Sequence, residues 1–174
     1  MRTSMLRGLL LAGTTAGVLL GAAGSASAAN PATTTFTVTA TVLKNCTVSA
    51  ANLTFGNYTP GAGALAVNTT VSVSCTKSTA FNTELTAGTT TGTTIAQRLL
   101  NDGAGDTLQY NLYTTAGLST PWGTTVGTNT VAGTGAGMNT PVVQTVYGQL
   151  VDSAANQSVP PGTYSDTITV NVAY

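Results

Sequence analysis

Apolar and polar residues alternate with a period of two along most of the chain. From Thr35 the pattern is strict, with Phe36, Val38, Ala40 and Val42 on one side and Thr35, Thr37, Thr39 and Thr41 on the other. Successive side chains of a strand point to opposite faces, so this alternation predicts a half-buried strand. Cys46-Thr47-Val48 predicts a second short strand after the break at Lys44-Asn45, and Leu53-Thr54-Phe55 a third, closed by the turn-rich stretch Gly56 to Gly63. Thr69 to Cys75 alternates again, with Val71, Val73 and Cys75 sharing a face; Phe81 to Thr86, Leu108 to Tyr113 and Val142 to Val151 predict further strands. Ser158 to Gly162 (SVPPG) forces a turn, after which Tyr164, Asp166, Ile168, Val170, Val172 and Tyr174 alternate with polar or small neighbours up to the last residue. Three stretches break the pattern. Asn101 to Asp106 (NDGAGD) is turn chemistry, Ile95 to Leu100 is compatible with one helical turn, and Gly117 to Gly137 is a run of small residues with Trp122 as its bulky landmark.

Seven or eight short strands separated by Gly/Pro turns predict an all-β sandwich of the immunoglobulin type. Its two ends are unusual. A well-formed amphipathic strand stands alone at the amino end, and the strongest strand of the carboxyl end stops with the sequence at Tyr174. A spare strand at one end and an abrupt stop at the other point to a fold completed by exchange.

The first residues predict the compartment. Arg2 and Arg7 precede a twelve-residue apolar stretch, Leu9 to Leu20, which runs into small residues ending in Ala26-Ser27-Ala28. That is the layout of a secretory signal cleaved before Ala29, or before Asn30, and it is too short for the ~20 residues of a membrane span. The expected divisions are a signal over 1–28, a leader with the spare amphipathic strand over 29–44, and an immunoglobulin-like domain over 45–174.

Threonine fills 34 of the 146 positions that remain, which favours strands over helices. So many hydroxyls with so few charges also suit a mucin-like stalk, but the recurring Val, Leu, Tyr and Phe at alternating positions belong to a folded core. Three cations (Lys44, Lys77, Arg98) and five anions (Glu84, Asp102, Asp106, Asp152, Asp166) leave a net charge of −2, too small and scattered to attract nucleic acid or an anionic membrane. Cys46 and Cys75 allow only one intramolecular pairing, and an exported chain is expected to make it.

Candidate chemistry is sparse. The chain has no histidine, and so lacks the usual proton shuttle and the commonest metal ligand. Asp102 and Asp106 lie nearest each other among the carboxylates, in a Gly-rich turn without the ligand spacing of a calcium loop. An enzyme, a metal site, a cofactor and a small-molecule substrate are therefore not expected. Tyr110, Tyr113 and Trp122 fit a sugar-stacking platform in principle, but alternation in one strand and a Trp beside a Gly fit core packing better.

Several short motifs occur in a fixed order: FTVTATV followed by Cys46-Thr47-Val48, then Leu53-Thr54-Phe55-Gly56-Asn57-Tyr58, Val71-Ser72-Val73-Ser74-Cys75, Leu108-Gln109-Tyr110-Asn111-Leu112-Tyr113, Trp122-Gly123, Val146-Tyr147-Gly148, and Val159 to Val170 (VPPGTYSDTITV). Together they resemble the spore coat protein U domain family, which includes the major subunits of archaic (Csu-type) chaperone–usher pili, and the resemblance runs from Phe36 to Tyr174. It implies an immunoglobulin-like fold lacking its last strand. A periplasmic chaperone lends that strand, and at the outer-membrane usher the amino-terminal segment of the next copy replaces it. On this sequence the inserted side chains would be Phe36, Val38, Ala40 and Val42, and the strand Tyr164 to Tyr174, with Ile168, Val170 and Val172, would wall the accepting groove. The family's aspartate after Trp-Gly is Thr124 here. The implied role is a structural subunit of a surface pilus or coat that polymerises with copies of itself and supports adhesion and biofilm formation. The alternatives are a self-complemented secreted coat protein and a tip adhesin that binds a surface or glycan. A sortase-linked pilin would need an LPxTG-like motif and an anchoring tail, which this sequence does not show.

Overall fold

The structure is a computed structural model describing residues 30–174; the expected signal over 1–28 and its cleavage site lie outside them. Among the described residues the strands are β1 (Cys46–Ala50), β2 (Leu65–Cys75), β3 (Ala80–Leu85), β4 (Arg98–Asn101), β5 (Thr107–Tyr113), β6 (Val131–Thr134), β7 (Val142–Leu150) and β8 (Val170–Ala173), with a 3-10 turn at Asn156–Ser158. They form two antiparallel sheets, one ordered β1-β2-β7-β5-β4 and the other β6-β3-β8. The protein is thus the all-β two-sheet sandwich that the alternation predicts.

Register explains the core. Val48 lies opposite Val73, Val73 opposite Val142 and Tyr110 opposite Leu150, so one parity of each strand collects on one face. Val71, Val73, Cys75, Leu108, Tyr110, Leu112, Val146 and Leu150 of the first sheet are buried against Phe81 and Leu85 of the second. Fully burying an apolar side chain of this size stabilises by about 1.5–3 kcal/mol. Cys46 lies directly opposite Cys75 at the end of the β1–β2 ladder, and the two are bonded.

Several expected elements differ. Thr35 to Val42 and Leu53 to Phe55 alternate but belong to no strand among the described residues, because a strand needs a neighbour to bond to and alternation supplies only a face. Tyr164 to Tyr174 contributes only Val170–Ala173 and an isolated bridge between Ser165 and Asn101. The Ile95–Leu100 stretch is not a helical turn: Arg98 begins β4, paired with β5. The small-residue run hides β6, where Gly133 lets the Phe81 ring press onto the backbone.

Contacts divide the chain between Ala40 and Thr41. In the first unit, the described residues 30–40 form no strand, and Phe36 and Val38 are exposed.

Candidate functional site

β1 and β8 are edge strands of the two sheets and lie against each other. Beyond Ala50 and before Val170 neither edge continues as a strand, and the space left there is an open cleft of about 1150 Å³. Its floor is the inner face of the first sheet, including Val71, Leu108, Tyr110, Leu112 and Val146. One wall is the segment after β1, with Leu53, Phe55 and Tyr58; the other is the lead into β8, with Tyr164, Asp166, Ile168 and Val170. The inward residues of both walls are only half-buried, unlike the floor.

Both walls offer backbone. Among the described residues, the N–H groups of Leu53 to Tyr58 and of Asp166 to Ile168 have no protein acceptor. Unpaired backbone beside apolar pockets is the requirement for accepting an added strand.

Two carboxylates fix the walls. Asp166 Oδ1 accepts from the backbone N–H groups of Thr89 (2.9 Å) and Thr90 (3.3 Å) and from both hydroxyls, while Oδ2 accepts from Tyr110 Oη at 2.8 Å. Burial and this hydrogen bond push the Tyr110 hydroxyl above its ordinary pKa. Asp152, just after β7, accepts from Tyr58 Oη and from the N–H groups of Gly61 (3.1 Å) and Gly63 (2.8 Å). Tyr58 and these amides hold Asp152 down at about 2, while partial burial and Asp152 push Tyr58 up to about 12.

A polar strut joins the sheets beside the cleft. Arg98, fully buried on β4, donates from Nη2 to the carbonyls of Trp122 (2.6 Å) and Thr86 (2.8 Å) and from Nη1 to Asn111 Oδ1 (2.6 Å). Burial lowers its pKa. Trp122 is fully buried too, and its Nε1 donates to the Thr83 carbonyl at 2.8 Å. Trp122 and Tyr110 are therefore packing residues, as expected, and not a sugar platform. Asp102 Oδ1 accepts from Ala104, Gly105 and Asp106, so this carboxylate closes its own turn.

Of the residues singled out from sequence, Ile168 and Val170 line the cleft, whereas Val172 is half-buried further along β8. Phe36, Val38 and Val42 are exposed at 85, 80 and 84 %, and Ala40 is exposed as well. The alternation at Leu53 to Phe55 and the turn chemistry after it did not show a wall, and the roles of Asp152, Asp166 and Arg98 carry no local signal.

A two-sheet sandwich with an unfilled apolar cleft defines the class. The chain belongs to the Spore Coat Protein U domain family, whose model matches residues 32–171. Among solved structures it is similar to a chain of the crystal structure of the CsuC-CsuE chaperone-tip adhesion subunit pre-assembly complex from archaic chaperone-usher Csu pili of Acinetobacter baumannii. The identity is 24%, the TM-score is 0.52, and the match covers 77% of this chain and 40% of that one. The protein thus spans less than half the length of that relative. No curated protein matches the chain.

Proposed function

We propose that the protein is a structural subunit of a cell-surface polymer, a pilus or coat, in which the cleft of one copy accepts the Phe36–Val42 segment of the next. The observation that supports this most directly is the open cleft between two unpaired runs of backbone. A strand laid there would satisfy both runs, and its alternate side chains would fill the apolar space. Phe36, Val38 and Val42 are large, apolar and exposed, which is costly in water unless another surface covers them. The similar solved complex pairs a subunit with a chaperone. By analogy, a periplasmic chaperone covers this cleft before assembly, an outer-membrane usher is the place of exchange, and adhesion and biofilm formation follow from display of the polymer. The role is structural, with no reaction to catalyse.

Val38→Asp tests this. In a neighbour's cleft that aspartate would be an unpaired charge in an apolar site, costing at least several kcal/mol. Assembly should be abolished, with export and disulfide formation kept, while Thr37→Asp on the opposite face should be mild. The readout is the ladder of oligomers on a denaturing gel without boiling, and a ladder unchanged by Val38→Asp rules the reading out.

A further inference from the structure

We infer that the segment from Asn52 to Gly63 is a hinged wall of the cleft, and that the Tyr58–Asp152 hydrogen bond is the latch that holds it shut and limits the rate at which a strand is taken up. This rests on the strand-accepting reading above.

The wall is attached in an uneven way. At its start, Ala51 N–H donates to the Thr70 carbonyl (3.0 Å) and the Thr69 hydroxyl donates to the Ala51 carbonyl (3.0 Å). From Asn52 to Tyr58 no backbone–backbone hydrogen bond follows among the described residues. Side chains hold the middle: the Phe55 ring meets Tyr110 edge-on at 5.9 Å, and Leu53 sits over Gly148, where a Cβ would come within 2.7 Å of it. The far end depends on one carboxylate. Gly61 and Gly63 have φ of +80° and +103°, a left-handed backbone that lets both amides converge on Asp152 beside the Tyr58 hydroxyl. Gln157 Nε2 donates at 3.2 Å to Asp152 Oδ1, the oxygen that Tyr58 and Gly61 also meet.

A wall bound by a full ladder opens only by unfolding, whereas the far end of this one swings free when a single carboxylate lets go, with the Leu53 and Phe55 contacts as its pivot. Tyr58, Thr59 and Pro60 line the cleft directly, so swinging them out widens it. The latch sits at the rim, where the bonds of Gly61, Gly63 and Gln157 to Asp152 are exposed and water can replace each donor as it leaves.

Tyr58→Phe keeps the ring and removes only the hydroxyl, and Asp152→Asn, which weakens the acceptor, is the second variant. Each is made in the mature Val38→Asp protein, whose own donor segment is disabled. The first readout is chymotryptic cleavage after positions 55 and 58, expected to be at least about fivefold faster in both variants, with cleavage after Tyr147 in β7 unchanged. The second is uptake of a fluorescent peptide of residues 34–44, expected to be at least about threefold faster. Unchanged cleavage after 55 and 58 overturns the latch. Faster cleavage with unchanged or slower uptake overturns its gating role. Absence of peptide uptake by the parent protein defeats the strand-accepting reading itself and the gating role with it, while cleavage still decides whether the wall is latched.

Discussion

Asp152 and Tyr58 each titrate far from their ordinary range, and the two shifts act in opposite pH windows. A carboxylate lowered from 3.8 to about 2 contributes stability that is whole above pH ~4 and lost as pH falls toward 2. A tyrosine raised from 10.0 to about 12 contributes stability that is whole below pH 10 and lost as pH rises toward 12. The gap in urea midpoint between wild type and Tyr58→Phe should therefore stay constant from pH 4 to 10 and close on either side. Without histidine nothing in the chain titrates near pH 6–7 by default, so a step in that range would contradict this account. Arg98 gives a second residue-level prediction. Its planar fork reaches Asn111, Thr86 and Trp122 together, and an ammonium cannot copy that geometry. Arg98→Lys should cost about 2–4 kcal/mol in urea unfolding, because buried acceptors lose their donors.

At the scale of elements, the proposed assembly puts its two sides in different segments, so each can be disabled alone. On that proposal Val38→Asp would remove the donor and leave the cleft, whereas Ile168→Asp would put a charge into the cleft wall and leave the donor. Neither variant should polymerise by itself, but mixed in equal amounts they should give a dimer band with nothing above it. Longer ladders from the mixture would mean that the cleft and the segment are not partners. The same segments show what sequence can convey. Alternation located β2, β5 and β7 because each has one face on the core and a neighbour on both sides. It over-extended β8, since Tyr164 to Thr169 alternates in burial without a ladder, and it missed β6, whose Ala132 and Gly133 have too little side chain to alternate. It also misjudged β4, where an inward arginine breaks the apolar pattern. The shared face of Ile168 and Val170 was readable from alternation, but the Tyr58–Asp152 pair, 94 positions apart, was not, because convergence of two polar side chains leaves no trace in periodicity.

The molecule as a whole hangs on one covalent tie. The Cys46–Cys75 bond closes a loop of sequence separation 29, worth ~3–4 kcal/mol on the chain-entropy model. Reduction should lower the thermal midpoint by several degrees, and thiol labelling of the native protein without reductant should find nothing to label. The placement of that bond also sets a mechanical path. Cys46 is the first residue of β1 and follows Val42 by four positions, while Cys75 is the last residue of β2. Tension applied to the amino-terminal segment therefore leaves β1 at its first residue and passes directly into β2. From there it meets the β2–β7 ladder, which runs from Leu65↔Leu150 to Val73↔Val142. Pulled along the strand direction, that ladder is loaded in shear, with its bonds resisting together, and the peripheral strand β1 is spared from being peeled away one pair at a time.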